Sequence, residues 1–350
     1  MTKLAKIMLI ALTLGAFGIY LTSCNKSEDL SQEITETAYD AQYVAIAKAL
    51  NDVINDVEVR TFIKAESMKQ FDGDYNFLIH DALEHRFEDG STFADKLSTG
   101  FDTKEDFVSY IEANRTLQIA VPIHCETWNS EDYVPAITFI DDSYDEQTTE
   151  YILAYNQEGT PTALDAQSEP DVPVVVISLN ERTDENGQVV NDTQQDENTA
   201  LDLRVRYNGG NERITHIQIP SLRGVEGWLR GGPEIRLTVR DAANSFDTDL
   251  FEGSWNRSRG DATDGFNTNV SVAAWNTSTY GNALTYAWYE RDGGSQRTWT
   301  VTVSYQGASI DIEFPVGKRD DRMGSRLILF SESEPYDYDT GTLRWEGDMQ

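Results

Sequence analysis

The chain has 350 residues, of which 60 are acidic and 28 basic, so its formal net charge is -32 at pH 7. A charge of this sign and size repels polyanions and therefore argues against binding nucleic acid or a bare anionic membrane surface. Hydrophobic residues make up 39% of the chain, and it contains seven Trp, 14 Phe and 16 Tyr. This is enough apolar material for packed cores, and the length favours two domains.

The N-terminus has the pattern of a secretory signal. Lys3 and Lys6 precede an apolar or small-residue run at 7–20, which is shorter than the roughly 20 residues that a bilayer span needs. The next residues, Leu21-Thr22-Ser23-Cys24, resemble a bacterial lipobox. That resemblance implies that residues 1–23 are a lipoprotein signal peptide and that acylated Cys24 anchors the mature chain to a lipid bilayer. An uncleaved signal-anchor helix is the alternative.

Residues 24–37 are polar and predict a tether. Its first part, Asn25-Lys26-Ser27-Glu28-Asp29, resembles the Lys-plus-acid signature of Bacteroidota lipoproteins that are exported to the outer face of the outer membrane. Together with the lipobox, this predicts a lipid-anchored outer-membrane protein that faces the cell exterior. As a whole, the chain resembles two-domain Bacteroidota surface lipoproteins, a resemblance that implies location and architecture but no chemistry.

The next region predicts an α+β domain at residues 38–182. Apolar residues from Tyr39 to Val57 recur on one face of a helix, and shorter patterns, one of them at Tyr75–Phe87, extend the helical region over 38–113. Runs rich in Val, Ile and Tyr then predict strands within 117–179. The last run, Val172–Leu179, is apolar enough to be buried on both faces of a sheet.

Residues 183–200 are rich in Asp, Glu, Asn and Gln and predict an acidic linker or a long exposed loop. Beyond them, apolar and polar residues alternate in many short runs that are separated by Gly-rich turns. In 234–240, for example, Ile235, Leu237 and Val239 alternate with polar residues. This pattern predicts an all-β antiparallel sandwich at residues 201–350.

Acidic residues cluster at predicted strand ends in the sandwich, at 290–292, 320–321 and 337–339. Calcium prefers six to eight oxygen ligands, and carboxylates that converge from several loops supply them. Asp320-Asp321-Arg322-Met323-Gly324 resembles the end of the calcium-dependent phospholipid-binding β-sandwich of protein kinase C and synaptotagmin. The resemblance implies that Asp292, Asp320 and Asp321 are calcium ligands. The alternative is that these acids are solvated turn residues.

Six of the seven tryptophans follow residue 220. If Trp255, Trp275 and Trp288 are exposed, they form an aromatic platform that binds sugar rings. If they are buried, they are part of an aromatic core. Cys125 has no partner once Cys24 is acylated, which predicts a buried small hydrophobe rather than a nucleophile paired with His124.

These patterns favour a non-enzymatic binding or adhesion protein whose sandwich loops present acidic and aromatic residues to a glycan, a protein or an ion. A surface hydrolase with carboxylates in those loops or at the domain junction is the alternative. It predicts a concave pocket that contains carboxylates with perturbed titration. A structural envelope component and an inhibitor or chaperone of a co-secreted enzyme are two further classes.

Overall fold

The structure is a computed structural model that describes residues 35–141, 143–190, 205–332 and 336–350. These residues belong to one compact unit, Ile34–Gln350. The predicted signal peptide, Cys24, nearly all of the tether and residues 191–204 lie outside the described residues. None of the described helices is long and apolar enough to cross a membrane.

Short helices form the first layer, as the periodicity predicts, but the long pattern from Tyr39 to Val57 is broken. Asp56 accepts a hydrogen bond from the backbone N–H of Glu58 at 3.0 Å and thereby starts a second helix. The helices are α1 (Ala41–Val53), α2 (Val57–Ser67), α3 (Ile79–Ala82), α4 (Phe93–Leu97) and α5 (Lys104–Ala113), with 3-10 turns at Glu36–Ala38 and Ser98–Gly100.

A mixed sheet lies against these helices, and its order in the described chain is β1-β2-β6-β3-β4-β5. Only β3 and β6 pair in parallel; the other neighbouring strands are antiparallel. The strand β6 lies in the interior of the sheet, and its residues 174–178 are buried on both faces, which confirms the prediction for this part of the run; Val172 and Leu179 at its ends are exposed. The strands are β1 (Asn76–Leu78), β2 (Leu117–Ala120), β3 (Ala136–Phe139), β4 (Tyr151–Tyr155), β5 (Pro161–Asp165) and β6 (Val174–Leu179).

The remaining chain is a β-sandwich, so the predicted fold class of an α+β region followed by a sandwich is confirmed. One sheet has the order β10-β7-β16-β15, the other has the order β14-β11-β8-β9, and β12 and β13 form a separate hairpin. The elements are β7 (Gly210–Gln218), β8 (Glu234–Asp241), β9 (Asp249–Asn256), α6 (Arg259–Asp264), β10 (Phe266–Trp275), α7 (Thr277–Tyr280), β11 (Ala283–Glu290), β12 (Gln296–Tyr305), β13 (Ala308–Gly317), β14 (Arg322–Leu329), β15 (Asp337–Asp339) and β16 (Arg344–Met349).

Two features join the α+β region to the sandwich. The loop between β7 and β8 inserts Trp228 and Leu229 into an apolar cluster with Val174 and Val176 of the mixed sheet. Beside it, the buried guanidinium of Arg182 donates to the Glu234 carboxylate at 2.5 Å and to the Gly232 carbonyl at 2.6 Å. Shared apolar burial and a buried ion pair therefore make one body of the two regions.

Candidate metal centre

The topology brings carboxylates from four places in the chain to this junction. The strand β11 pairs with both β8 and β14, so that its last residue, Glu290, lies opposite the beginning of β8, and Tyr289 lies opposite Arg322 of β14. Asp292 follows β11, and Asp321 directly precedes β14. Glu146, on the β3–β4 loop, and Glu226, on the β7–β8 loop, approach the same edge of the sandwich.

The carboxylates form two groups of three, and within each group the potential ligand oxygens lie within 4.8 Å of one another. The outer group is Glu146, Asp292 and Asp321, and the inner group is Glu226, Glu290 and Asp292. We call these five residues the carboxylate cluster. The inner group is fully buried, whereas Glu146 and Asp321 are partly exposed. Asp292 belongs to both groups.

Several of these oxygens are buried without a hydrogen-bond donor anywhere in the described part of the chain. They are both oxygens of Glu226, both of Asp292 and Oε2 of Glu290. Glu226 and Asp292 are each only 4% exposed, and Glu290 is 0% exposed. A buried ionised carboxylate without a partner is expensive, so this arrangement requires either bound protons or bound cations.

Within the described residues, the protein's own donors reach Glu146 and Asp321 of the outer group and one oxygen of Glu290 in the inner group. The backbone N–H of Gly227 donates to Glu146 Oε2 at 3.0 Å, and Gln147 Nε2 donates to Asp321 Oδ1 at 3.0 Å. The Arg230 guanidinium contacts Glu181, and its Nε lies 4.0 Å from Glu146 Oε2. One shared guanidinium cannot neutralise five carboxylates.

Burial and mutual repulsion raise the pKa values of the whole cluster. Burial raises the pKa of Glu146 to about 7, and burial with the Glu146 and Glu181 charges raises the pKa of Asp292 to about 8. Burial is also the main reason why the pKa values of Glu226, Glu290 and Asp321 lie above their ordinary range. Without a cation, the cluster therefore keeps protons at neutral pH.

An open cleft of about 1000 Å³ adjoins the outer group. Glu146, Glu226 and Asp321 line one part of it. The rest of its lining is mostly polar and includes Gln147, Gln167, Ser168, Ser221, Arg223 and Arg259. The cleft is large enough for a small-molecule or oligomeric ligand whose oxygen atoms reach the cluster.

A second concentration of polar side chains, around Arg182, is too tightly packed to bind a ligand. Asp72, Asp74, Asn180 and Glu234 surround the guanidinium, and the cavity among them is about 10 Å³, at most one water molecule. Asp74 accepts the backbone N–H of Gly232 at 2.9 Å. We conclude that this network joins the two regions and is not a binding site.

No protein-family model, no curated protein and no solved structure matches this chain. Evidence on its function therefore comes from the geometry of the junction.

The structure brings together two of the three predicted calcium ligands. Asp292 and Asp321 both belong to the outer group. Asp320 does not: its Oδ1 accepts the backbone N–H groups of Asp292 and Gly293 at 3.1 and 2.9 Å, and its Oδ2 accepts that of Gly317. Asp320 thus holds the turn that positions Asp292. The acidic segment at 337–339 is the strand β15, outside the cluster.

Glu146, Glu226 and Glu290 were not among the predicted ligands. Glu290 precedes Asp292 by two residues and was visible as part of an acidic segment. Glu146 lies in another part of the chain, and local sequence carries no signal for its approach. Glu226 is preceded by Val225 and followed by Gly227 and Trp228, and the apolar burial of this loop is the one local feature that distinguishes it from a solvated turn.

The three predicted sugar-binding tryptophans lie in the sandwich core. Trp255, Trp275 and Trp288 are each 0% exposed. The indole N–H of Trp255 donates to Thr268 Oγ1 at 2.8 Å, and the ring centroids of Trp255 and Trp288 are 5.7 Å apart. The prediction of an exposed platform built from these residues is therefore wrong. Trp255 and Trp288 lie on β9 and β11 of one sheet and Trp275 lies on β10 of the other, and all three side chains are buried in the same sandwich core.

Cys125 is a buried free thiol, as the sequence predicts. Burial raises its pKa to about 12, so the reactive thiolate is not populated at neutral pH. The neighbouring His124 instead uses its Nε2 in a 3.1 Å hydrogen bond with the carbonyl of Pro170. This geometry argues against a Cys–His nucleophile.

Proposed function

We propose that this protein is a cation-dependent binding protein whose carboxylate cluster holds a divalent cation of the calcium type. The observation that carries the proposal is the set of buried carboxylate oxygens that have no hydrogen-bond donor among the described residues, above all those of Glu226 and Asp292. An acidic cluster on a solvated surface needs no counterion. A buried one needs bound protons or a bound cation, and a divalent cation supplies positive charge without requiring the carboxylates to be protonated.

The donor set favours calcium over other ions. All the cluster's side-chain ligands are carboxylate oxygens, which hard cations prefer to nitrogen or sulfur. Magnesium retains several of its waters and requires near-octahedral geometry, whereas calcium accepts six to eight protein oxygens in flexible arrangements. Buried and partly exposed carboxylates that converge from four chain segments suit the calcium pattern.

The ligand is proposed to bind in the cleft beside Glu146 and Asp321. A cation bound at this partly exposed edge has coordination positions open toward the cleft, where hydroxyl or carboxylate oxygens of a glycan or protein ligand would complete its shell. The polar cleft lining of amide, hydroxyl and guanidinium groups supports a polar ligand.

The location is part of the same proposal. Acylation of Cys24 would attach the binding unit to the outer membrane, with residues 24–37 as a tether. Replacing Cys24 by Ser should move the protein from the detergent phase to the aqueous phase on temperature-induced phase separation. Partitioning of the variant into detergent like the wild type would contradict the lipid anchor.

Calcium binding is tested on the purified full chain by isothermal titration calorimetry after dialysis against chelator at pH 8. The wild type should bind calcium and release protons, because the carboxylates must lose protons to coordinate it. Asp339→Asn is a matched control, since Asp339 is an exposed strand residue paired with Arg344 at 2.9 Å. The site is supported if Asp339→Asn binds calcium like the wild type and Asp321→Asn does not bind it. The proposed site is refuted if the wild type itself does not bind calcium.

A surface hydrolase remains a second candidate because one observation favours it specifically. Glu146, with a pKa of about 7, lines an open cleft beside a second carboxyl group, Asp321, and a pair of carboxyl groups beside a cleft can serve in general acid–base catalysis. The test is hydrolysis of glycoside and peptide substrates in chelator. Turnover that Glu146→Gln abolishes would favour the hydrolase over the binding protein.

A further inference from the structure

We propose that the carboxylate cluster holds two cations bridged by Asp292, an inference that rests on the proposed function above. The outer cation would be bound by Glu146, Asp292 and Asp321, and the inner one by Glu226, Glu290 and Asp292. Of these five ligands, Glu146 and Glu226 lie outside the acidic segments that suggested calcium in the sequence.

The first argument is geometric. Two complete groups of three carboxylates are present, and each is compact enough for its oxygens to lie within 4.8 Å of one another. They overlap only at Asp292, whose two oxygens both lack a donor within the described residues. A carboxylate has two oxygens with lone pairs directed to different sides, so it can bridge two ions at the roughly 3.5–4 Å separation of two-metal sites.

The second argument is charge. The cluster contains five carboxylates, and among the described residues Arg230 is the guanidinium that forms an ion pair with it, with its Nε 4.0 Å from Glu146 Oε2; the charge of Arg297 acts on Asp321 from farther away. One divalent cation would leave about two negative charges in a largely buried volume, where charge is costly. Two divalent cations together with Arg230 balance the five carboxylates. Glu181, which also contacts Arg230, has a side chain that is 25% exposed and is therefore partly screened by solvent.

The two cations would have different roles because their surroundings differ. All three ligands of the inner group are buried, so the inner cation would be coordinated mainly by protein and would hold the β7–β8 loop against the end of β11. The outer group includes the partly exposed Glu146 and Asp321, which line the cleft. The outer cation would therefore be the one that contacts the bound ligand.

The backbone around the cluster supports fixed positions for these ligands. Asp320 holds the Asp292 turn through backbone N–H groups, and the N–H of Glu234 donates to Glu290 Oε1 at 3.1 Å. The second oxygen of Glu290 remains without a donor in the described chain. Glu290 is thus oriented by one oxygen while the other is free to coordinate.

The test is the stoichiometry of binding to the purified full chain at pH 8, with calcium for calorimetry and manganese for electron paramagnetic resonance. The wild type should bind two ions, and its two manganese ions should show the exchange coupling of a bridged pair. Glu290→Gln should bind one ion, with the six-line spectrum of isolated manganese, and Asp292→Asn should lose the coupled pair. Asp339→Asn, outside the cluster, should behave as the wild type.

The outcomes separate the two proposals. One ion per wild-type chain would overturn the paired site and leave the proposed function standing. No ion would overturn both. Two ions without exchange coupling, or a coupled pair retained by Asp292→Asn, would show that Asp292 is not the bridge. Unfolding each variant in chelator at pH 8 verifies folding. The neutralised cluster variants should be at least as stable as the wild type there, because folding no longer has to bind a proton or bury a charge at that carboxylate.

Discussion

Glu146→Gln probes the electrostatics of the junction in the absence of any cation. Glutamine has nearly the same shape, and its side-chain oxygen can still accept the N–H of Gly227, which lies 3.0 Å from Glu146 Oε2. Its amide nitrogen can donate to Asp321. The substitution therefore removes a titratable charge and little else.

The magnitude follows from the shift of the Glu146 pKa, which burial raises from 4.5 to about 7. The folded state holds this proton more tightly than the unfolded state, so its contribution to stability is complete below about pH 4.5 and is lost as the pH rises to about 7. At 1.36 kcal/mol per pKa unit, the loss is about 3 kcal/mol. The side chain is only 13% exposed, so solvent screening reduces this value little.

The assay is urea unfolding in chelator at pH 4.5 and pH 8. We expect the free energy of unfolding of the wild type to fall by about 3 kcal/mol more than that of Glu146→Gln across this range. Glu158→Gln, an exchange at an exposed loop residue, should follow the wild type. An identical pH dependence in the wild type and Glu146→Gln would show that the Glu146 carboxylate is solvated and that the electrostatic account of the cleft is incorrect.

Two further predictions concern the surroundings of the cluster. Arg182→Ala leaves the buried Glu234 without its partner and should lower the free energy of unfolding, measured in urea, by about 3–5 kcal/mol. The control Arg115→Ala breaks an exposed ion pair and should change it by less than about 1 kcal/mol. Equal effects of the two substitutions would contradict the structural role of Arg182. Gly227→Ala would place a Cβ 3.1 Å from Glu146 Oε2. Because this contact displaces the carboxylate without removing it, the substitution should weaken calcium binding measured by calorimetry. Unchanged affinity would mean that the loop moves to accommodate the methyl group.

Local sequence patterns predicted the helices and strands that pair with segments close in the sequence or that are completely buried. The strand β6 is apolar because it lies inside a sheet with both faces covered, and that burial is visible in its composition. The long helical pattern at Tyr39–Val57 failed because periodicity does not show a cap: Asp56 divides the pattern into α1 and α2. Residues 75–87 were predicted to be helical, but Asn76–Leu78 pair with β2, a long-range interaction that overrides local propensity.

The site could be predicted only where its ligands share a strand end. Asp292 and Asp321 are neighbours because β11 and β14 pair, and acidic residues at strand ends give a local signal. Glu146 comes from the α+β region, and its approach depends on how Trp228 and Leu229 pack against the mixed sheet. The tryptophan prediction failed for a related reason, since composition does not distinguish an aromatic core from an aromatic surface.

The position of the cluster connects cation binding to the stability of the whole unit. Its outer group contains Glu146 from the α+β region and Asp292 and Asp321 from the sandwich, so a bound cation would bridge the two regions. A ligand that binds only the folded state adds about 2.7 kcal/mol at one hundred times its dissociation constant, and above saturation each bound ion adds about 1.36 kcal/mol per tenfold increase in its concentration.

The free energy of unfolding, measured in urea against free calcium concentration at pH 8, should therefore rise by about 2.7 kcal/mol per tenfold increase if two ions bind. Glu290→Gln should halve that slope, because it removes a ligand of the inner ion alone. This measurement reports the folding equilibrium, whereas calorimetry measures the heat of binding and electron paramagnetic resonance measures the spins of the bound ions. It therefore determines the number of bound ions independently of both. If the free energy of unfolding of the wild type rises only by the amount expected for one ion per tenfold increase in calcium, the bridged pair is contradicted. If it does not change with calcium concentration, protons alone occupy the buried carboxylates.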